Sequence, residues 1–210
     1  MSNTEELKNY QEQVELSTWY TSIKSPLPKR TVKGISLAKT KHSNLPHIDM
    51  KDHYQFVTFR TKDSIDGYIQ KLYGSGDSEK LKQYKIDSYL DKSENGAFLN
   101  GQIVFDIQKY FRSYDRKMYD LIALTIMPNH IHILFKQNDE LKNIMKILKG
   151  GSAHIVNKLL DRKGQVWASN YFDKLIRDEE HFSLVYEYIK YNALKVGLDD
   201  AKERFYGCYE

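Results

Sequence analysis

The segment Met127-Pro128-Asn129-His130-Ile131-His132-Ile133-Leu134 constrains the fold more than any other stretch of the chain. Side chains alternate across a β-strand, so His130 and His132 share one face while Ile131, Ile133 and Phe135 share the other, the face expected to meet the core. Tyr119 to Met127 is a second β-like run. The Met127-Pro128-Asn129 corner between the two predicts an antiparallel hairpin that delivers His130 at the start of the return strand. Two imidazoles on one exposed strand face form a pincer for a metal ion. Two unrelated histidines on a half-exposed strand would give the same spacing, and the hairpin alone leaves both readings open.

The rest of the chain completes an α+β pattern. His53 to Thr61 predicts a strand with Tyr54, Phe56 and Thr58 on one face and Gln55, Val57 and Phe59 on the other. Residues 74–96 are polar and predict short helical pieces among loops. Leu99, Ile103, Ile107 and Phe111 recur every four residues and predict a helix over 97–114, and Leu141, Ile144, Met145 and Leu148 predict another over 141–160. Gly150-Gly151 interrupts the second helix and marks either a kink or a close approach, since each glycine costs about 1 kcal/mol relative to alanine there. Gln165 to Ala168 and Tyr171 to Ile176 read as short strands.

With 210 residues, 40% of them hydrophobic, the chain can bury one proper core. No run approaches the eighteen or so apolar residues of a membrane span, and the polar, acidic start MSNTEELKNYQEQVEL is unlike a secretory leader. A cytoplasmic protein with no membrane partner is expected. Cys208, the only cysteine, cannot form an internal disulfide or a cysteine zinc site. The net charge of +4 decides little, but its distribution is uneven. From Ser17 to Ile48 there is no Asp or Glu, while Lys24, Lys29, Arg30, Lys33, Lys39 and Lys41 are present together with Pro26, Pro28 and Pro46. Residues 1–48 thus read as a basic arm suited to DNA phosphates, or as a solvated leader, ahead of a domain over 49–210.

The last predicted helix can be placed in detail. Asp178 is its expected N-cap, Glu179 and Glu180 suit its first turn, and Gly197 suits its end. Phe182, Val185, Tyr186, Ile189 and Ala193 form one apolar stripe. Tyr188 and Asn192 fall about 80° to 120° from the stripe's centre, one turn apart, whereas Tyr191 falls on the solvent side. Tyr188 is therefore the tyrosine both held by the core and able to reach a cleft.

Several ordered blocks over residues 53–198 carry a resemblance: Ile86-Asp87-Ser88-Tyr89-Leu90-Asp91, Tyr119 to Leu134 with its MPNHIHIL core, Leu148 to Ala153, Val166-Trp167, Tyr171-Phe172-Asp173, Ile176-Arg177-Asp178, and Tyr188 to Leu198. In these blocks the chain resembles the single-tyrosine transposases of the HUH superfamily, the IS200-like family, and especially the branch associated with repetitive extragenic palindromes. The resemblance implies an HUH-endonuclease fold, an antiparallel sheet with packed helices on a ferredoxin-like core. It implies a divalent ion, Mg²⁺ or Mn²⁺, on His130, His132 and Asn192, with Tyr188 as nucleophile. Tyr188 would form a 5′-phosphotyrosine bond on single-stranded or hairpin DNA, and the protein would act as monomer or homodimer, nucleoid-associated when bound.

The family usually places proline after this asparagine, and Ala193 stands there instead, which lets the helix continue through Asn192. Lys149 and Arg177, with Lys29 and Arg30 of the arm, are the candidate DNA contacts. Trp167, Tyr171 and Phe172 suit either base stacking or the core, and Asp173 suits a turn or salt bridge more than the metal site. The competing function is a domesticated, non-catalytic binder of DNA hairpins.

Overall fold

The computed structural model describes residues 36–38 and 47–210. In chain order they form β1 (Ser36–Ala38), β2 (His47–Asp49), β3 (Tyr54–Arg60), α1 (Gly67–Tyr73), α2 (Glu79–Leu90), α3 (Gln102–Arg112), β4 (Tyr119–Ile126), β5 (His130–Gln137), α4 (Leu141–Leu159), β6 (Phe172–Leu175), α5 (Glu179–Lys195), α6 (Ala201–Arg204) and β7 (Phe205–Gly207). β1 and β2 pair by themselves, and the other five strands form one sheet in the order β6-β3-β5-β4-β7 with every neighbour antiparallel. The expected α+β class, an antiparallel sheet with packed helices, is what forms.

The hairpin of β4 and β5 sets the frame. On β5, Ile131, Ile133 and Phe135 join Val57 and Phe59 of β3 in a core that α3 and α4 cover with Ile103, Ile107, Phe111, Ile144 and Leu148. Across the sheet, Phe56 of β3, Leu134 of β5 and Ile122 and Ala123 of β4 meet Val185, Tyr188 and Ile189 of α5. A bulge between Leu121 and Ala123 shifts the β4 register against β5. Leu121 consequently packs under α3 and α4, while both Ile122 and Ala123 pack under α5.

Three local expectations change. The helix predicted from residue 97 begins at Gln102, because Gly101 has φ +55°, left-handed backbone open to glycine, so Leu99 enters the core from the preceding loop. The glycine pair does not interrupt α4: the helix runs through it, and a Cβ on Gly151 would overlap the Tyr110 ring, so this is the close approach of α3 to α4. Trp167 belongs to the core, edge-on to Phe59 at 4.8 Å and donating its Nε1–H to Ser152 Oγ at 3.0 Å.

Candidate functional site

Alternation along β5 carries His130 and His132 to the face beneath α5, but this face is covered: both side chains are 0% exposed. The expected exposed pincer is therefore a closed one, roofed by α5. In the β3–β5 register Thr58 stands opposite His132 and Arg60 opposite His130, and Thr125 of β4 stands opposite His132 from the other side.

The Nε2 atoms of the two histidines are 3.0 Å apart. Burial, helped by the Arg60 and Lys195 charges, pushes the His130 pKa down to about 3, and burial also holds His132 well below the usual imidazole range. Both rings are neutral at ordinary pH. The Asn129 amide donates to the carbonyl oxygens of Leu90 and Ser93 at 3.0 and 2.9 Å, which turns its Oδ1 toward His130 Nδ1 at 2.7 Å. The His130 proton is thus assigned to Nδ1, and its Nε2 presents a lone pair to the pocket. His132 Nδ1 is 2.7 Å from Thr58 Oγ1, which leaves its Nε2 to face the same point.

The α5 helix supplies the other wall. Asp178 caps it, accepting from the His181 N–H at 2.7 Å. Tyr188, buried and edge-on to Phe56, brings its hydroxyl to 3.3 Å from His132 Nε2. Two turns later the Lys195 ammonium lies 3.4 Å from Asp91 Oδ2, and Asp91 Oδ1 lies 3.7 Å from His130 Nε2. Asn192 stands between these points at helical spacing i, i+4 and i+7, on the face turned to the histidines. Because Ala193 follows it, the helix keeps its path to Lys195.

Polar atoms here lack partners. Asn192 Oδ1 and Nδ2, Asp91 Oδ1, Thr125 Oγ1 and Arg60 Nε and Nη1 are buried with no hydrogen bond among the described residues. Unsatisfied buried groups are uncommon and costly, so their gathering around one histidine pair marks a site built for a ligand. Burial raises the Asp91 pKa against the opposing pull of Lys195.

The donor set suits a divalent cation. Two ligands about 2.1 Å from one ion at about 90° lie about 3 Å apart, the spacing of the two Nε2 atoms. An amide oxygen without a partner supplies a third donor of the kind that Mg²⁺ and Mn²⁺ accept. Among the described residues no group of three His, Cys, Asp or Glu side chains is arranged to hold a metal ion, so the fit rests on the histidine pair with the amide.

More than half of the 210-residue chain, residues 83–192, matches the family model of IS200-like transposases. The chain belongs to that family. No curated protein matches it. Among solved structures, this transposase-family chain is similar to a REP-associated tyrosine transposase bound to a REP hairpin, at 14% identity and a TM-score of 0.43, covering 74% of this chain and 75% of that one. It is also similar to a protein from Deinococcus radiodurans R1 described as a transposase, at 15% identity and a TM-score of 0.40, covering 73% of this chain and 98% of that one.

The remaining candidates are spread around the domain. Lys149 donates from its ammonium to the carbonyl oxygens of Ala168 and Ser169 at 2.7 and 3.0 Å, and burial lowers its pKa to about 8. The Arg177 backbone N–H donates to His181 Nδ1 at 3.4 Å, beside the start of α5. Asp173 pairs with His47 and not with the histidine site, and Tyr171 stacks on the His47 ring. Lys29 and Arg30, with the rest of the arm before Ser36, lie outside the described residues, and no helix among the described residues is long and apolar enough to cross a membrane. Sequence reasoning missed Arg60, Asp91 and Thr125 as site residues, although strand parity from Thr58 would have placed Arg60 on the histidine face.

Proposed function

We propose that this chain is a metal-dependent single-strand DNA endonuclease and strand transferase with Tyr188 as nucleophile. The observation that carries the reading is the Tyr188 hydroxyl at 3.3 Å from His132 Nε2, within a ring of buried polar atoms that have no hydrogen bond among the described residues. A phenol with an ordinary pKa near 10 is a weak nucleophile, so it needs an activated phosphorus. When bound, a divalent ion would supply that activation by drawing charge from the non-bridging phosphate oxygens.

His130, His132 and Asn192 would hold the ion, with Asn129 and Thr58 fixing which ring nitrogen of each histidine is free. Phe56 and Ile189 pack with Tyr188 in one apolar cluster and would keep bulk water from its hydroxyl. Tyr188 Oη bonds to phosphorus, the P–O3′ bond breaks, and the proton lost by the phenol equals the one gained by the 3′ oxygen. The products are a 5′-phosphotyrosine and a free 3′-hydroxyl, which can reverse the step on another strand without ATP. Lys149, Arg177, Lys29 and Arg30 would contact the DNA backbone around this centre.

The test is incubation of the protein with end-labelled single-stranded DNA from the gene's own flanks and Mn²⁺, followed by a denaturing gel. A covalent adduct that mass spectrometry maps to Tyr188 supports the reading. Binding of the DNA with no adduct would instead identify a non-catalytic hairpin binder.

A further inference from the structure

Arg60 is 4% exposed, and its Nε and Nη1 have no acceptor among the described residues. No carboxylate among them pairs with it either; the carboxylate beside the histidines, Asp91, is engaged by Lys195. A guanidinium cannot shed its proton at any pH a cell reaches, and a buried unpaired charge costs several kcal/mol. An arginine kept only for stability would have its donors met by backbone carbonyls, as Arg204 does: that residue is 2% exposed and donates to the carbonyls of Leu99 and Ile126 at 2.9 Å and to Asn100 Oδ1 at 2.6 Å. The two buried arginines differ in this respect, and the difference calls for an anion at Arg60.

The anion's place is defined by the register. Arg60 is directly across from His130 on the same sheet face, next to Thr58, which touches His132. Its guanidinium lies 5.8 Å from the ring of Tyr73, a residue 41% exposed, so the charge sits between the closed histidine pocket and a side chain that reaches the surface. A singly charged anion with several acceptor oxygens, able to lie against the histidine pair while its two ends run on outward, is a phosphodiester. Arginine is the side chain best matched to that group.

We propose that Arg60 binds a backbone phosphate of the DNA strand beside His130. The assignment deepens the strand-transfer reading and rests on it for the identity of the strand. It makes Arg60 a substrate-contacting residue that would neutralise charge on the phosphate from the side opposite α5.

The test uses the full-length protein without added metal, comparing the parent with Arg60→Gln and Arg60→Lys. In melting experiments, inorganic phosphate at constant ionic strength should raise the parent's Tm and leave Arg60→Gln unmoved, because only a ligand that binds the folded state stabilises it. In phosphate-free buffer Arg60→Gln should melt at or above the parent, since an unpaired buried charge has been removed. In the Tyr188→Phe background with EDTA present, adding Arg60→Gln should weaken binding of flank-derived single-stranded DNA roughly tenfold and reduce the log–log salt slope by about 0.7. Arg60→Lys should fall between, which keeps the test alive if Arg60→Gln does not fold.

A large fall in Tm with an unchanged phosphate effect would make Arg60 a structural residue and overturn the proposal. Unchanged strand affinity and salt slope would overturn it as well, and so would a parent that responds to neither phosphate nor DNA. The broader reading fails separately. If the parent forms no adduct and binds no Mn²⁺ while Arg60→Gln still loses the phosphate and strand effects, the Arg60 assignment stands and the nuclease reading falls.

Discussion

The two faces of the central sheet are built from the same three strands and have opposite characters. Beneath α3 and α4, Val57, Phe59, Leu124, Ile131, Ile133 and Phe135 make a dry core in which Trp167 Nε1 is satisfied by Ser152 and Gln55 Oε1, on the same face of β3, is an exception with no hydrogen bond among the described residues. Beneath α5, each of the three strands sends polar side chains inward: Thr58 and Arg60, Thr125, and His130 and His132, with several of their atoms left unpartnered. Strand alternation makes such a split possible at no cost in backbone geometry. One face secures the fold so that the other can carry unsatisfied groups, the division expected where function is placed at the expense of stability.

If the faces divide labour in this way, substitutions on each should move different measurements. The largest effect belongs to Tyr188→Phe, which should abolish the covalent adduct outright while Mn²⁺ and DNA binding persist. Tyr186→Phe and Tyr191→Phe should still form the adduct; loss of it in either would mean that the wrong tyrosine is assigned.

On the core face, Phe59→Ala should cost about 3–5 kcal/mol in chemical denaturation and leave adduct formation per folded molecule unchanged. A comparable stability loss from His130→Ala or His132→Ala would erase the distinction between the faces. Those two variants should instead weaken Mn²⁺ binding in isothermal titration by on the order of 100-fold. Thr58→Val should weaken it by roughly tenfold through the loosened His132 ring, within the range found for groups that orient metal ligands. Equal Mn²⁺ affinity in parent and Thr58→Val would remove the threonine from the site.

The smallest predicted effect is a pH slope. Burial, together with the Arg177 charge, lowers the His181 pKa to about 4, below the unfolded value near 6.5. The unfolded chain therefore takes up a proton that the folded one refuses, and stability should fall as pH drops from about 6.5 toward 4, by at most about 1.4 kcal/mol per pH unit from this group. His181→Asn should flatten that part of the stability–pH curve; an unchanged curve would show that the slope arises elsewhere.

Much of this organisation is legible in the chain because periodicity writes it there. The alternation of His130 to Phe135 assigns both faces of β5, and Val185, Ile189 and Ala193 are buried as the stripe requires, but the helix is turned from that reading: Tyr188 and Asn192, expected at the stripe's margin, are buried with them, while Phe182 and Tyr186 are only half-buried. What periodicity does not carry is depth. Nothing local tells that α5 roofs the histidines, since the 56-residue separation between His132 and Tyr188 is closed only in the fold. Asp91 escaped as a site residue for the same reason: its position just past α2 becomes meaningful only when Lys195 and His130 converge on it. Gly151 shows the reverse limit, where sequence signalled an anomaly but only the Tyr110 ring reveals which kind.

The bulge in β4 has a consequence for how this strand can vary. Because the ladder pairs Leu121 with Phe135 and then Ala123 with Leu134, Ile122 is the extra residue of the strand. Deleting it would leave Leu121, Leu124 and Ile126 on the core side and Ala123 and Thr125 under α5, one unbroken alternation, so the strand can lose this residue without turning any side chain of the site away, and what goes with it is the added local twist of the bulge.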